Sequence, residues 1–157
     1  MGYTIIKLLH VLAVIMFLGN IFTGLFWMHI AKKTKDLKII SHTMQGVIRS
    51  DRLFTIPGVV LVTTFGIFAA LHGHIPLIRT GWVFYSIILF TFSGIIFIWK
   101  VAPLQRKIYN FTHKQENNPD FDWNYFNKLY SQWDFWGLIA ILAPVIALVM
   151  MILKLPQ

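Results

Sequence analysis

The chain has 157 residues, the length of one domain, of which 57% are hydrophobic and 13% charged. With a mean hydropathy of +0.65, this excludes an ordinary soluble globular domain. There is no cysteine, so thiolate metal sites, iron–sulfur clusters and disulfides are excluded, and transition-metal chemistry falls to histidine or methionine. The net charge of +8 is gathered at two connections between apolar runs, which assigns it to topology and lipid headgroups and not to nucleic acid.

Four apolar runs carry the hydropathy: Val11–Met28, Leu53–Leu71, Trp82–Trp99 and Phe135–Leu153. At about 1.5 Å per residue each crosses most of a ~30 Å hydrocarbon core, and flanks such as Tyr3–His10 supply the rest. No run alternates with period two, which excludes barrel strands. The expected fold is all-α, an integral membrane four-helix bundle. It forms a single transmembrane domain over residues 1–157, with helices about 3–29, 53–72, 82–100 and 135–153.

Helix one contains Lys7, His10 and Asn20. Its apolar run is longer than a leader's and no small-x-small cleavage site follows, so it is read as a retained span. Residues 31–50 set Leu37, Ile40, Met44 and Val47 at helical spacing opposite basic residues. That pattern fits an amphipathic segment lying on the inner leaflet, or an extension of helix one. Helix two follows "RSDR", where Asp51-Arg52 reads as a local ion pair or a helix-start charge. Its Pro57-Gly58 pair predicts a kink. The short connection "HGHIPLIRTG" predicts that helices two and three are antiparallel neighbours. Helix three ends at Lys100, before Pro103, and the polar "HKQENNPD" follows. Asp122 then caps a short helix with Trp123, Phe126, Tyr130 and Trp133 on one face. This stripe packs on the inner end of the bundle or the headgroup layer; the alternative is a face for docking a partner. Helix four carries Pro144, again a kink. Gly19, Gly24, Gly66 and Gly94 are assigned to close helix approach.

Eleven of the 14 lysines and arginines flank the first and third connections, and only Lys7, Arg79 and Lys154 lie on the other side. The positive-inside bias places both long connections in the cytoplasm and both termini outside. His29, His42 and His113 then fall at the inner boundary, whereas His10, His72 and His74 fall at similar depth on the outer side. His10 has two readings: a neutral imidazole donating to a carbonyl or serine, or a ligand to a metal or haem. Lys7 either snorkels to headgroups or, with Arg79, meets haem propionates. Asn20, about a quarter turn from His10, is expected to hydrogen-bond between helices. "HGH" at 72–74 is either a short metal-binding pair or an ordinary turn. No Ser/His/Asp arrangement, HExxH or P-loop is present, which removes the main support for hydrolases and nucleotide-driven pumps.

The segments "KLLHVLAVIMFLGN", "RSDRLFTIPGVVLVTTFGIFAAL", "TGW" and "VAPLQRK" resemble small bacterial four-helix membrane proteins. This group surrounds the copper-resistance protein CopD and the HemJ-type protoporphyrinogen oxidases, and the likeness is strongest to its unassigned branch, over nearly the whole chain. The resemblance implies a multi-pass protein of the bacterial inner membrane. The HemJ branch implies b-type haem and a helix-one histidine, matched by His10, together with a lysine shortly after "GW". Ser86 stands where that lysine would fall, which argues against protoporphyrinogen oxidation. The CopD branch implies copper handling, but the methionines form no outer cluster. The expectation is a b-type haem protein with a redox, electron-transfer or sensing role. His10 would be one axial ligand, His72 the second or His74 its substitute, and Lys7 and Arg79 would assist. The alternatives are copper held by His10, His72 and His74, or a non-catalytic scaffold. Beyond the lipid bilayer no partner is specified, and four helices leave room for a homodimer.

Overall fold

The computed structural model describes residues 2–156. Four long helices, α1 (Gly2–Thr34), α2 (Leu37–His72), α3 (Gly81–Lys114) and α4 (Trp123–Leu153), are each long and apolar enough to cross a membrane. No strand occurs among the described residues. The all-α, four-span reading holds, but α2, α3 and α4 run well past the expected boundaries. α2 has 36 residues, about 54 Å at 1.5 Å per residue, so about 24 Å of it lies beyond a ~30 Å core. The surplus of all three is on one side, the basic end, where α1 meets α2 and α3 leads to α4.

This corrects the reading of residues 31–50. Lys35, with φ of 54°, turns the chain sharply after α1. The Asp36 side chain then caps α2, accepting from the backbone N–H of Lys38 (2.8 Å) and Ile39 (3.3 Å). Leu37, Ile40, Met44 and Val47 are buried within the protein and do not lie on a leaflet. They join Met28, Ile108, Phe126 and Trp133 in the larger of two apolar cores. Outside the membrane water supplies the hydrophobic drive, so this end is packed like a small soluble bundle. Within the apolar windows only 17–33% is buried, since lipid is as apolar as leucine.

The aromatic stripe is the first turns of α4 and not a separate helix. Phe126, Tyr130 and Trp133 are buried, as the packing reading expects. Trp133 therefore has no face to offer a docking partner, and the scaffold reading loses that anchor.

At the predicted kink of helix two and the predicted end of helix three, the chain takes a π turn. Asp51–Thr55 and Phe97–Val101 are wound one residue wider, with Ile56 N–H bonded to Asp51 O and Ala102 N–H to Phe97 O. Each turn lies just before a proline, Pro57 or Pro103. The pyrrolidine ring would strike the carbonyl four residues back, and the wider turn moves that carbonyl away. Helix three thus continues through Pro103 and does not stop at Lys100. Pro144 leaves α4 continuous. The carbonyl it orphans, Ala140 O, accepts instead from the Ser93 hydroxyl of α3.

Helices two and three are not neighbours in the membrane. Among the described residues no Cα of Ile56–His72 comes within 8 Å of one in Gly81–Ile96. α1 packs on α2 and α3 on α4, and the two pairs join at the basic end and, within the spans, in a smaller core where Phe17 and Leu18 of α1 meet Ile141 of α4 and Phe90 of α3. A short connection makes contact geometrically feasible but does not supply interdigitating side chains. Of the four glycines assigned to close approach, Gly24 meets Val47 and Gly66 meets His10, but Gly19 and Gly94 face open space.

Candidate functional site

Two clusters of polar groups sit in or beside the apolar windows. The first contains His10. Its Nδ1 lies 3.0 Å from Val62 O on α2, and a carbonyl can only accept, so Nδ1 carries the ring proton. Gly66 makes room for the ring: a Cβ there would stand 3.0 Å from His10 Cε1. Val62 and Gly66 stand one helical turn apart, so the imidazole is seated across a single turn of α2.

The expected common depth of His10, His72 and His74 is not observed. Gly73, between the latter two, faces Tyr3, whose Cε2 would lie 3.1 Å from a Cβ at that glycine. His10 is therefore level with Gly66, about 10 Å further along α2 by helical rise. The offset follows from the antiparallel register of the two helices, which counting from the ends of apolar runs does not fix. His72 is exposed and bonds its Nδ1 to Phe68 O of its own helix at 3.0 Å. His74 is exposed with φ of 51°. It ends α2 in a Schellman arrangement, with Ile75 N–H to Ala70 O (2.9 Å) and His74 N–H to Leu71 O (3.2 Å). "HGH" is thus, first of all, a helix terminator. Among the described residues no three His, Asp or Glu side chains form a group suited to a metal ion. Lys7 and Arg79 are both exposed, as headgroup-facing cations would be.

The second cluster is one that the sequence does not single out. Asp51, which reads there as half of a local ion pair or as a helix-start charge, is 7% exposed. It accepts from Asn20 Nδ2 (3.1 Å) and Thr55 Oγ1 (2.7 Å) on Oδ1, and from Gln105 Nε2 (2.8 Å) on Oδ2. Asn20 also donates to Thr55 Oγ1 at 2.9 Å, so its expected role between helices holds. Asp51 and Thr55 belong to the π turn of α2, and the extra residue brings both side chains inward. The network ties α1, α2 and α3 together at the edge of the apolar zone. A sequence signal exists: an acid abutting an apolar run is a functional candidate by default. Its partner Gln105, far along the chain on α3, leaves no local trace.

Both π turns line a cavity of about 620 Å³ between the α1/α2 and α3/α4 pairs. Its walls include Phe17, Phe90, Phe97 and Trp133, with Asn20, Asp51, Thr55 and Gln105 at the polar end. The Trp133 indole Nε1 is buried without a hydrogen-bond partner. Ser86 plays a different part: it is 1% exposed and donates to Trp82 O (2.6 Å) and to Ala147 O of α4 (3.2 Å). It fastens α3 to α4.

At the basic end, outside the apolar windows, His113 stacks on Tyr109 with ring centroids 5.2 Å apart. Its Nδ1 is 2.8 Å from Glu116 Oε1. That hydrogen bond, then one from Ser41, holds the Glu116 carboxyl below its usual range.

No curated protein and no solved structure matches the chain. Residues 4–155 match a family described as "Predicted integral membrane protein (DUF2269)". With four membrane-length helices, nearly complete coverage and polar groups held between spans, the chain belongs to that family of multi-pass membrane proteins.

Proposed function

We propose that this protein binds b-type haem in the bacterial inner membrane, at the end opposite its basic connections, for electron transfer, haem-linked redox chemistry or sensing. The observation that supports it is the Nδ1 contact of His10 with Val62 O. With Nδ1 protonated, Nε2 keeps its lone pair, which is the form of imidazole that ligates iron, and the carbonyl orients the ring. His72 has its Nδ1 engaged in the same way and is the candidate second ligand, with His74 the substitute. Because His72 lies at a different level of the bundle, His10 is the ligand on which the reading rests. Lys7 and Arg79, exposed at that end, would pair with propionates. Haem supplies one-electron chemistry; the chain supplies the ligand, its tautomer and an apolar surround.

The test is an absorption spectrum of protein purified from haem-replete cells. A Soret band that is lost or shifted in His10→Ala is expected. A protein without the band, or one unchanged in His10→Ala, would sink the reading. Stoichiometric copper without porphyrin would point instead to the copper alternative at His10, His72 and His74. A second reading is favoured by how closely the His10 ring sits on Gly66: His10 fastens α1 to α2, and neither haem nor metal co-purifies.

A further inference from the structure

The cavity between the two helix pairs is a groove that ends half-way through the membrane. Its lining stops at Phe17 of α1, Thr63 of α2 and Phe90 of α3, each near the middle of the apolar run of its helix. Phe17 and Phe90 meet there, with ring centroids 5.5 Å apart. From Phe90 the lining continues along α3 to Arg106 at the basic end, about 24 Å by helical rise. Half of a ~30 Å core and one headgroup layer of about 5–8 Å come to nearly that length, so the groove spans one leaflet. Its side is open: Ile56 and Val60 on the α2 wall and Ile98 on the α3 wall are 54%, 58% and 65% exposed. Two charged side chains line it. Asp51 is buried and bonded to neutral donors from Asn20, Thr55 and Gln105. Arg106 is exposed and forms no ion pair among the described residues, not even with Asp51. Helix side chains lean toward the N-terminus, which for α3 is the membrane side, so Arg106 leans toward the headgroup layer.

We propose that this groove holds a tail of an anionic phospholipid from the leaflet at the basic end, with its phosphodiester on Arg106. The planar guanidinium fork matches a phosphate bidentately. The Asp51 carboxylate repels the phosphate from any deeper position and keeps it at the mouth. A headgroup with a cation of its own would set that cation among the lysines and arginines gathered at this end, which favours a net negative head. A transmembrane helix of a second copy would cross both leaflets, whereas this groove stops at the midplane. The assignment stands apart from the haem reading and uses none of its residues.

The full chain in dodecyl maltoside is titrated with phosphatidylglycerol or phosphatidylcholine, and retained lipid is counted by native mass spectrometry. One phosphatidylglycerol per chain is expected, held about tenfold more tightly than phosphatidylcholine, the low end of what a hydrogen bond to a charged group is worth. Arg106→Gln should bring the two lipids within about twofold of each other. Lys107→Gln, at a neighbouring exposed cation outside the lining, should leave the preference intact. Gly94 lines the groove and a Cβ there meets nothing within 4 Å, so Gly94→Phe fills the space and should abolish retention of both lipids. Far-UV circular dichroism and the melting point check that each variant is folded, and the Arg106 and Lys107 arms stand without Gly94→Phe. Equal affinity for the two lipids, an unchanged preference in Arg106→Gln, or its loss in Lys107→Gln would each overturn the assignment. So would displacement of the lipid by glycerol phosphate, which would mark a site for free phosphate esters, or a dimer that Gly94→Phe dissociates, which would mark a second copy as the occupant.

Discussion

Ser93→Ala is expected to destabilise the protein by about 1–1.7 kcal/mol, the cost of one unpaired carbonyl between membrane helices, and only while Pro144 is present. Pro144 has no N–H, so Ala140 O loses its helical partner and takes the Ser93 hydroxyl in its place. Ser93 is 4% exposed, so no water replaces the hydroxyl once it is gone. A buried polar group left unpaired costs about 1–3 kcal/mol. Hydrogen bonds between membrane helices are worth less, averaging about 0.6 and reaching about 1.7 kcal/mol, which sets the upper bound here. In a Pro144→Ala background the residue-144 N–H returns to Ala140 O. Ser93→Ala should then cost under about 0.5 kcal/mol, giving a coupling of about 1 kcal/mol between two residues on different helices. The cycle is measured by unfolding in mixed dodecyl maltoside and SDS micelles, followed by circular dichroism. Equal costs in the two backgrounds would refute the account of Pro144.

Asp51→Asn sets an amide N–H₂ against at least one of the three donors that Asp51 now accepts. A loss of about 1–3 kcal/mol in the same assay is expected, and a change below about 0.5 kcal/mol would mean that the network does not hold the helices. His74→Gly relieves a left-handed residue at the end of α2. It should raise stability by about 0.5–1 kcal/mol and the melting point by a few degrees, whereas a fall would show that the imidazole makes a contact of its own. Glu116 titrates below its usual value because of its bond to His113. Its stabilisation is present above the ordinary glutamate pKa and drains away as pH falls through the lowered one. Glu116→Gln should therefore flatten the acid limb of a melting-point profile, and an unchanged limb counts against the pair.

The four spans are legible in the sequence because the hydropathy of one membrane-length window is set locally. Their extensions are not, since continuing a helix into water depends on partners from other helices. Ile40 and Met44 show the right period, but only Ile108 and Phe126 decide that they stand in a bundle and do not float on a leaflet. Pro57 and Pro103 mark where the helices turn irregular; that both places are wide turns follows from geometry beyond residue type. His10 stands out because it is an ionisable group beside an apolar run, and a carbonyl partner is one of its two sequence readings. Asp51 is undervalued because a charge at the edge of a span looks the same buried or solvated until its distant donor is known.

The loop from Gly73 to Thr80 joins two halves that do not meet beside it. Each half is a helical hairpin closed at the basic end, and the halves are held together there, by the Asp51 network and by the smaller apolar core that Phe17, Phe90 and Ile141 share. The loop is thus a tether and not a structural element. Two separately expressed chains, divided near Pro76, should find each other in one membrane and rebuild the same bundle. The protein is in this sense a dimer of unlike hairpins that happens to be translated as one polypeptide.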